Sequence, residues 1–201
     1  MRQTLAVFFL LLFAGLAGAA DYVPLADWSL LPEVKRTRSG HYLTPVAAYE
    51  FARKEGAKSL FLDVRTRAEA MYVGMPDGVD GLAPYVEHQE FWSDWDERRT
   101  MYKLETNPDF AAEVARRLQA KGLGKGDRII LICRSGDRSS KAADLLESLG
   151  YTQVFSVPEG FEGDLGKSGE QAGRRTVNGW KNAGLPWSYK LDRAKMYFPP
   201  R

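Results

Sequence analysis

Apolar and polar positions divide the chain into short blocks. The most apolar block, Ile129-Ile130-Leu131-Ile132, is hydrophobic on both faces, as a central strand of a covered parallel sheet must be. Leu60-Phe61-Leu62 and Val154-Phe155-Ser156-Val157 read as two further strands. Helical spacing fills the intervals. Thr44-Pro45 offers a hydroxyl N-cap and a proline at the first helical position, with Val46, Tyr49 and Ala52 on one face and Gly56 as a stop. Asn107-Pro108 opens a helix whose apolar face is Phe110, Ala111, Val114 and Leu118, ended by Gly122 and Gly124. Ala142, Ala143, Leu145, Leu146 and Leu149 mark a third helix, stopped at Gly150, and a last one is predicted over 177–183. Residues 74–106 show no clear period.

Strands alternating with helices imply an α/β fold, with a mainly parallel central sheet and helices on both faces. In such sheets ligand sites gather at the carboxyl ends of the strands. Asp63, Cys133 and Glu159 each stand just past a strand end, so one rim is expected to hold all three.

Length and composition narrow the reading. The 201 residues, 44% hydrophobic, suffice for one domain plus extensions. The net charge is +2, and basic residues are interleaved with acidic ones, which argues against a nucleic-acid partner. Arg2, the apolar run 5–16 and Ala17-Gly18-Ala19-Ala20 have the three parts of an export signal over 1–20, with cleavage after Ala19 or Ala20. The run is shorter than the ~20 residues a membrane span needs, so an uncleaved anchor is the weaker alternative. A periplasmic protein with no stable membrane span after cleavage is expected. Residues 21–40, with Pro24 and Pro32, read as an N-terminal arm, 41–187 as the domain and 188–201 as a C-terminal tail.

Export makes the cysteine count informative, because disulfides persist in oxidising compartments. Cys133 is the one cysteine of the chain, so it is either an inert core thiol or a reactive group. Its surroundings favour chemistry. A buried strand delivers it to Arg134-Ser135-Gly136-Asp137-Arg138-Ser139, a tight loop feeding a helix. Successive N–H groups in such a turn form an anion cradle, and the helix N-terminus adds its positive dipole end. Arg134 and Arg138 add charge for an anionic substrate, Gly136 allows an unusual turn conformation, and Ser139 can cap the helix or hydrogen-bond the sulfur.

Four segments then carry a family resemblance. Leu62-Asp63-Val64-Arg65 with Glu69 resembles the "LDVR…E" segment of rhodanese-like domains. Gly74-Met75-Pro76-Asp77-Gly78 resembles their "GHIPGA" turn, the 133–139 loop their active-site loop, and Trp180-Lys181-Asn182-Ala183-Gly184-Leu185-Pro186 their "W-x-x-AGLP" ending. The resemblance spans 44–187. It implies a sulfurtransferase: Cys133 takes sulfur from a small anionic donor such as thiosulfate, becomes a persulfide, and gives the sulfur to cyanide or a thiol. It implies that Arg134, Ser135, Gly136, Asp137, Arg138 and Ser139 bind substrate. Asp63, Arg65 and Glu69 would support the loop, with Glu69 expected to pair with a loop arginine.

Other chemistries fit less well. Four residues separate Cys133 from Arg138, whereas cysteine phosphatases place one more there to enclose a whole phosphate. The smaller ring suits one sulfur atom. His41 and His88 are the only histidines and have no metal-like spacing, and no glycine-rich nucleotide loop follows a strand, so neither metal nor cofactor is expected. Met75 stands where the family often has histidine, at a position expected to be structural. Asp137 puts a negative charge into a loop for anions and is expected to pair with Arg134 or Arg138. Residues 163–175 read as an insertion: a passive surface loop, or a lid in which Lys167, Arg174 and Arg175 attract an anion or partner. Phe91, Trp92 and Trp95 read as local packing rather than a partner surface. The alternative to an enzyme is a rhodanese-fold module that carries sulfur to, or docks on, a periplasmic protein.

Overall fold

The computed structural model describes residues 27–200; the export signal lies outside the described residues. Five-residue strands β1 (Ser59–Asp63) and β8 (Arg128–Ile132) form the centre, paired in parallel from Ser59↔Arg128 to Asp63↔Ile132. β3 (Gly81–Leu82) flanks β1 and β9 (Val154–Val157) flanks β8, both parallel. The sheet order is β3-β1-β8-β9. Tyr42 adds a parallel bridge to Ser156 at the outer edge of β9.

Strand periodicity sorts the core into two layers. Leu60, Leu62, Ile129, Leu131 and Cys133 face α3 (Phe110–Ala120) and α4 (Asp137–Ser148), meeting Phe110, Val114, Leu118, Ala142, Ala143 and Leu146. Phe61, Ile130, Ile132 and Val157 face the other way, onto Ala48 of α1 (Pro45–Glu55), Ala70 of α2 (Arg67–Val73) and Trp180. Each such aliphatic side chain contributes about 1.5–3 kcal/mol by leaving water. Thr44 caps α1 as predicted, its hydroxyl accepting from the Ala47 N–H at 3.1 Å. The inward face of α1 is shifted, however: Ala48 is buried and Val46 is exposed, as is Leu149 beyond α4.

The helix predicted over 177–183 is absent, and this segment is a succession of turns. One helix-type bond remains, from the Ala183 N–H to the Gly179 carbonyl at 2.9 Å, but Trp180 donates to the Gly160 carbonyl at 2.9 Å and Lys181 to that of Phe161 at 3.0 Å. Gly179 has φ +96°, and a Cβ there would stand 2.5 Å from the Gly163 nitrogen. Close approach to the 160–163 turn therefore limits helical bonding to a single turn. Trp180 is fully buried, its indole N–H on the Pro186 carbonyl at 2.9 Å.

The irregular 74–106 stretch contains small antiparallel pairings. β2 (Met75–Pro76) pairs with β10 (Trp187–Ser188), which leaves Met75 buried in the second core layer. β4 (Val86–His88) pairs with β7 (Leu104–Thr106), and β5 (Trp95–Asp96) with β6 (Met101–Tyr102), building a lobe over 86–106. Both chain extensions pack on the domain. Lys35 donates to the Pro158 carbonyl and pairs with Asp164 at 2.6 Å, and Arg117 donates to the Lys195 and Met196 carbonyls. No helix of the described residues is long and apolar enough to cross a membrane.

Candidate active site

β8 runs straight into the cysteine. The Val64 N–H meets the Ile132 carbonyl at 2.8 Å, and Cys133 follows, 1% exposed. Gly136 makes the turn, with φ +99°. No other residue fits there, because a Cβ would stand 2.2 Å from the Pro158 carbonyl oxygen. α4 therefore starts at Asp137, earlier than Ser139, with Gly136 as its cap.

The loop leans on the turn after β9. The Phe161 N–H donates to the Cys133 carbonyl at 2.8 Å and that of Glu162 to the Arg134 carbonyl at 3.0 Å. A trans peptide points its N–H opposite to its C=O. Fixing those two carbonyls on the turn thus aims the Arg134 and Ser135 N–H groups away from it. The Gly136 N–H reaches Sγ of Cys133 at 3.1 Å. With the N-terminus of α4 behind it, the sulfur occupies a site that favours negative charge.

Ser139 takes the sulfur-facing role and not the capping one. Its buried hydroxyl lies 3.5 Å from Sγ, donates to the Gly136 carbonyl at 3.2 Å and lies 2.9 Å from Oγ of Ser156. Ser156, on β9, is a neighbour that sequence reasoning missed.

Glu69 pairs with a loop arginine, and it is Arg138. Nη1 lies 2.5 Å from Oε2 and Nη2 2.6 Å from Oε1. Glu69 is held from below by a capping box with Thr66 at the start of α2. Burial alone would raise the Glu69 pKa, but the Arg138 fork and the Thr66 N–H outweigh it and hold the carboxyl at about 2. Burial opposes the charge on Arg138, while Glu69 and Cys133 push its pKa above the ordinary arginine value.

Asp63 and Arg65 act one layer further back. Both are fully buried, and the guanidinium forks onto the carboxylate, with Nη2 at 2.6 Å from Oδ2. Arg65 also donates to the Gly74 carbonyl at 2.7 Å and lies 4.1 Å from the centre of the Phe161 ring. Its link to the loop runs through Phe161, whose N–H holds the Cys133 carbonyl. Glu159, also buried, accepts from the Gly179 N–H at 3.2 Å.

A cavity of about 530 Å³ opens over the sulfur. Of the expected site residues, Glu69, Cys133, Arg134, Ser135, Asp137 and Arg138 line it. Asp63, Arg65, Gly136, Ser139 and Glu159 do not, so the expected rim holds Cys133 at the surface of the cavity with Asp63 and Glu159 behind it. Asp137 pairs with neither Arg134 nor Arg138. It lies 2.7 Å from Lys141, one turn along α4, and 3.6 Å from Arg99, because Arg138 is taken by Glu69 and Arg134 by Glu162 at 3.2 Å. Arg175 of the 163–175 segment lines the cavity, whereas Lys167 and Arg174 do not.

The opposite wall comes from Tyr85 and the 86–106 lobe, through Val86, His88, Arg99, Met101 and Leu104. Sequence reasoning assigned none of these residues to the site. The signal was present in the matched triplets Val86-Glu87-His88 and Leu104-Glu105-Thr106, which pair residue for residue. The lobe's aromatics do pack locally: Trp92 stacks on His88 at 3.9 Å and Tyr102 sits edge-on to Trp92 and Trp95. Phe91 and parts of Trp92 and Trp95 are nonetheless exposed. No group of three or more His, Cys, Asp or Glu among the described residues could hold a metal ion.

Comparison with known proteins gives the same fold. Rv0390 from M. tuberculosis, a solved structure, is 29% identical with a TM-score of 0.53, over 74% of this chain and 96% of that one. An uncharacterized protein of Rickettsia conorii is 27% identical over 131 residues, 65% of this chain and 84% of that one. The tRNA uridine(34) hydroxylase of Rickettsia akari is 26% identical over 125 residues, 50% of this chain and 49% of that one. The family model of the rhodanese-like domain matches residues 47–166, from α1 to past the cysteine loop, and the chain belongs to that family.

Proposed function

We propose that the protein is a sulfurtransferase that moves sulfane sulfur through a persulfide on Cys133. The observation that carries this reading is the Gly136 N–H on Sγ at 3.1 Å, at the floor of an open cavity and at the N-terminus of α4. The thiolate attacks the outer sulfur of an anionic donor and the donor's remainder leaves with the electron pair. The loop amides hold the resulting persulfide, and a thiol or cyanide then takes the outer sulfur. Arg138 is fixed by Glu69 and supplies positive charge beside the sulfur. Arg134 stands at the rim for the incoming anion. The apolar run 5–16 and the small residues after it support export to the periplasm.

Intact-mass analysis after incubation with thiosulfate tests the reading. A gain of one sulfur atom, absent in Cys133→Ala, and thiocyanate release on adding cyanide are expected. No mass gain would sink it. Turnover of an aryl phosphate that disappears in Cys133→Ser would replace it with a phosphatase.

A further inference from the structure

The cavity is much larger than the ion that would fill the cysteine loop. At about 530 Å³ it falls among sites that enclose organic ligands, ~300–1,000 Å³, while thiosulfate is a handful of atoms. The lobe gives it an apolar wall of Tyr85, Val86, Met101 and Leu104. The remaining lining is mainly charged, and most of that charge is matched. Arg138 has Glu69, Arg134 has Glu162, and Lys141 and Arg99 share Asp137.

Arg175 is the exception. It forms no ion pair among the described residues; Nη1 donates to the Gly163 carbonyl at 2.5 Å, and Nε is buried without a partner. Burial, then the Arg134 charge, pulls its pKa below the ordinary arginine value; Glu162 and Asp164 oppose the shift and Arg138 adds to it. A half-buried guanidinium repelled by a second one is an unfavourable arrangement until an anion joins them.

We propose that the physiological sulfur donor is organic: a sulfane sulfur on an apolar group that lies against the lobe wall, with a carboxylate further out that pairs with Arg175. This rests on the sulfurtransferase reading and names its substrate class. For a thiosulfonate R–SO₂–S⁻, the Cys133 thiolate attacks the terminal sulfur. A new S–S bond forms at Sγ, the donor's S–S bond breaks, and the electron pair leaves on the sulfinate R–SO₂⁻. The protein is left as the persulfide anion, and no outside oxidant or reductant is needed.

Three donors separate the contributions: thiosulfate, benzenethiosulfonate and para-carboxybenzenethiosulfonate. The readout is the rate of Cys133 persulfide formation against donor concentration, by intact mass. The half-saturating concentration should fall in that order, about tenfold for a matched contact worth ~1.4 kcal/mol. Arg175→Gln should slow loading from the carboxylated donor about tenfold more than from its parent, and Arg175→Lys should restore part of the difference. Because Arg175 also holds Gly163, the parent donor reports any general disturbance of the loop. Equal loading from all three donors, or an Arg175→Gln effect shared equally by the two aromatic ones, overturns the inference and leaves the sulfurtransferase reading standing. Loading from none of them sinks that reading itself.

Discussion

Arg138 and Glu69, 69 positions apart in the chain, meet in a two-bond fork of 2.5 and 2.6 Å beside the cysteine. One carboxylate thereby does two jobs: it fixes the arginine of the loop and closes the capping box of α2. Charge thus ties the cysteine loop to the start of α2, as the sheet ties β8 to β1.

This pairing makes stability pH-dependent. The folded carboxyl of Glu69 is held at about 2, below its free value of 4.5. A depressed carboxyl contributes stability that is fully present above 4.5 and lost as pH falls toward about 2. By linkage the contribution is roughly 3 kcal/mol. Urea unfolding of the wild type and Glu69→Gln should show a stability gap that is constant above the free value and narrows below it. A gap of the same size throughout that window would show that the fork contributes no such linkage.

Gly136→Ala should be severe. The residue would keep φ +99° and drive a methyl group to 2.2 Å from the Pro158 carbonyl. Left-handed strain alone costs ~1–2 kcal/mol, and the clash adds to it. The loop must shift, taking the Gly136 N–H off the sulfur. Persulfide loading should fall at least as steeply as that of Gly160→Ala, whose Cβ would meet the Arg134 carbonyl carbon at 2.5 Å. A crystal structure of Gly136→Ala with an undisturbed loop would refute this.

Trp180→Ala should lower stability by about 3–5 kcal/mol, since a fully buried indole is removed and the Pro186 carbonyl keeps only the Asp77 N–H of its two donors. Trp180→Phe should recover much of that. Thermal or denaturant unfolding measures both. Values below ~1 kcal/mol for the alanine variant would mean that the 177–187 turns pack independently of the core.

The parts of this fold legible in the sequence are those with a period. Both central strands are apolar on each face, so burial alone fixes them; Thr44-Pro45 marks a helix start by local bonding, while Asn107-Pro108 stands one turn ahead of α3, where Asn107 accepts from the Asp109 N–H and the helix begins at Phe110. The turns at 177–183 defeated the same reasoning, because Gly179 is set by contact with Gly163 and not by its neighbours in sequence. The site divides in the same way. The loop is read from a contiguous string, and Glu69 from a motif. The far wall is read from neither, since Met101 and Leu104 reach the cavity through short strands whose pairing is long-range. Asp137 was misplaced because the competing carboxylates Glu69 and Glu162 lie elsewhere in the chain.

Ser139 and Ser156 allow a separation of structure from chemistry. Their hydroxyls lie 2.9 Å apart in the fully buried layer under the loop, and Ser139 is the one within 3.5 Å of Sγ. Ser139→Ala leaves the buried Ser156 hydroxyl without this partner, at a cost of ~1–3 kcal/mol, whereas Ser156→Ala leaves the Ser139 hydroxyl its bond to the Gly136 carbonyl and should cost less. The double variant should be less destabilised than the sum of the two, because no orphaned hydroxyl remains. Sulfur loading should not follow stability. Ser139→Ala removes a group facing the sulfur and should slow loading several-fold, toward the ~10-fold that corresponds to a 1.4 kcal/mol contact. Ser156→Ala touches the sulfur only through Ser139 and should slow it less. Equal losses of loading in the two single variants would mean that Ser139 serves only to hold α4 against β9.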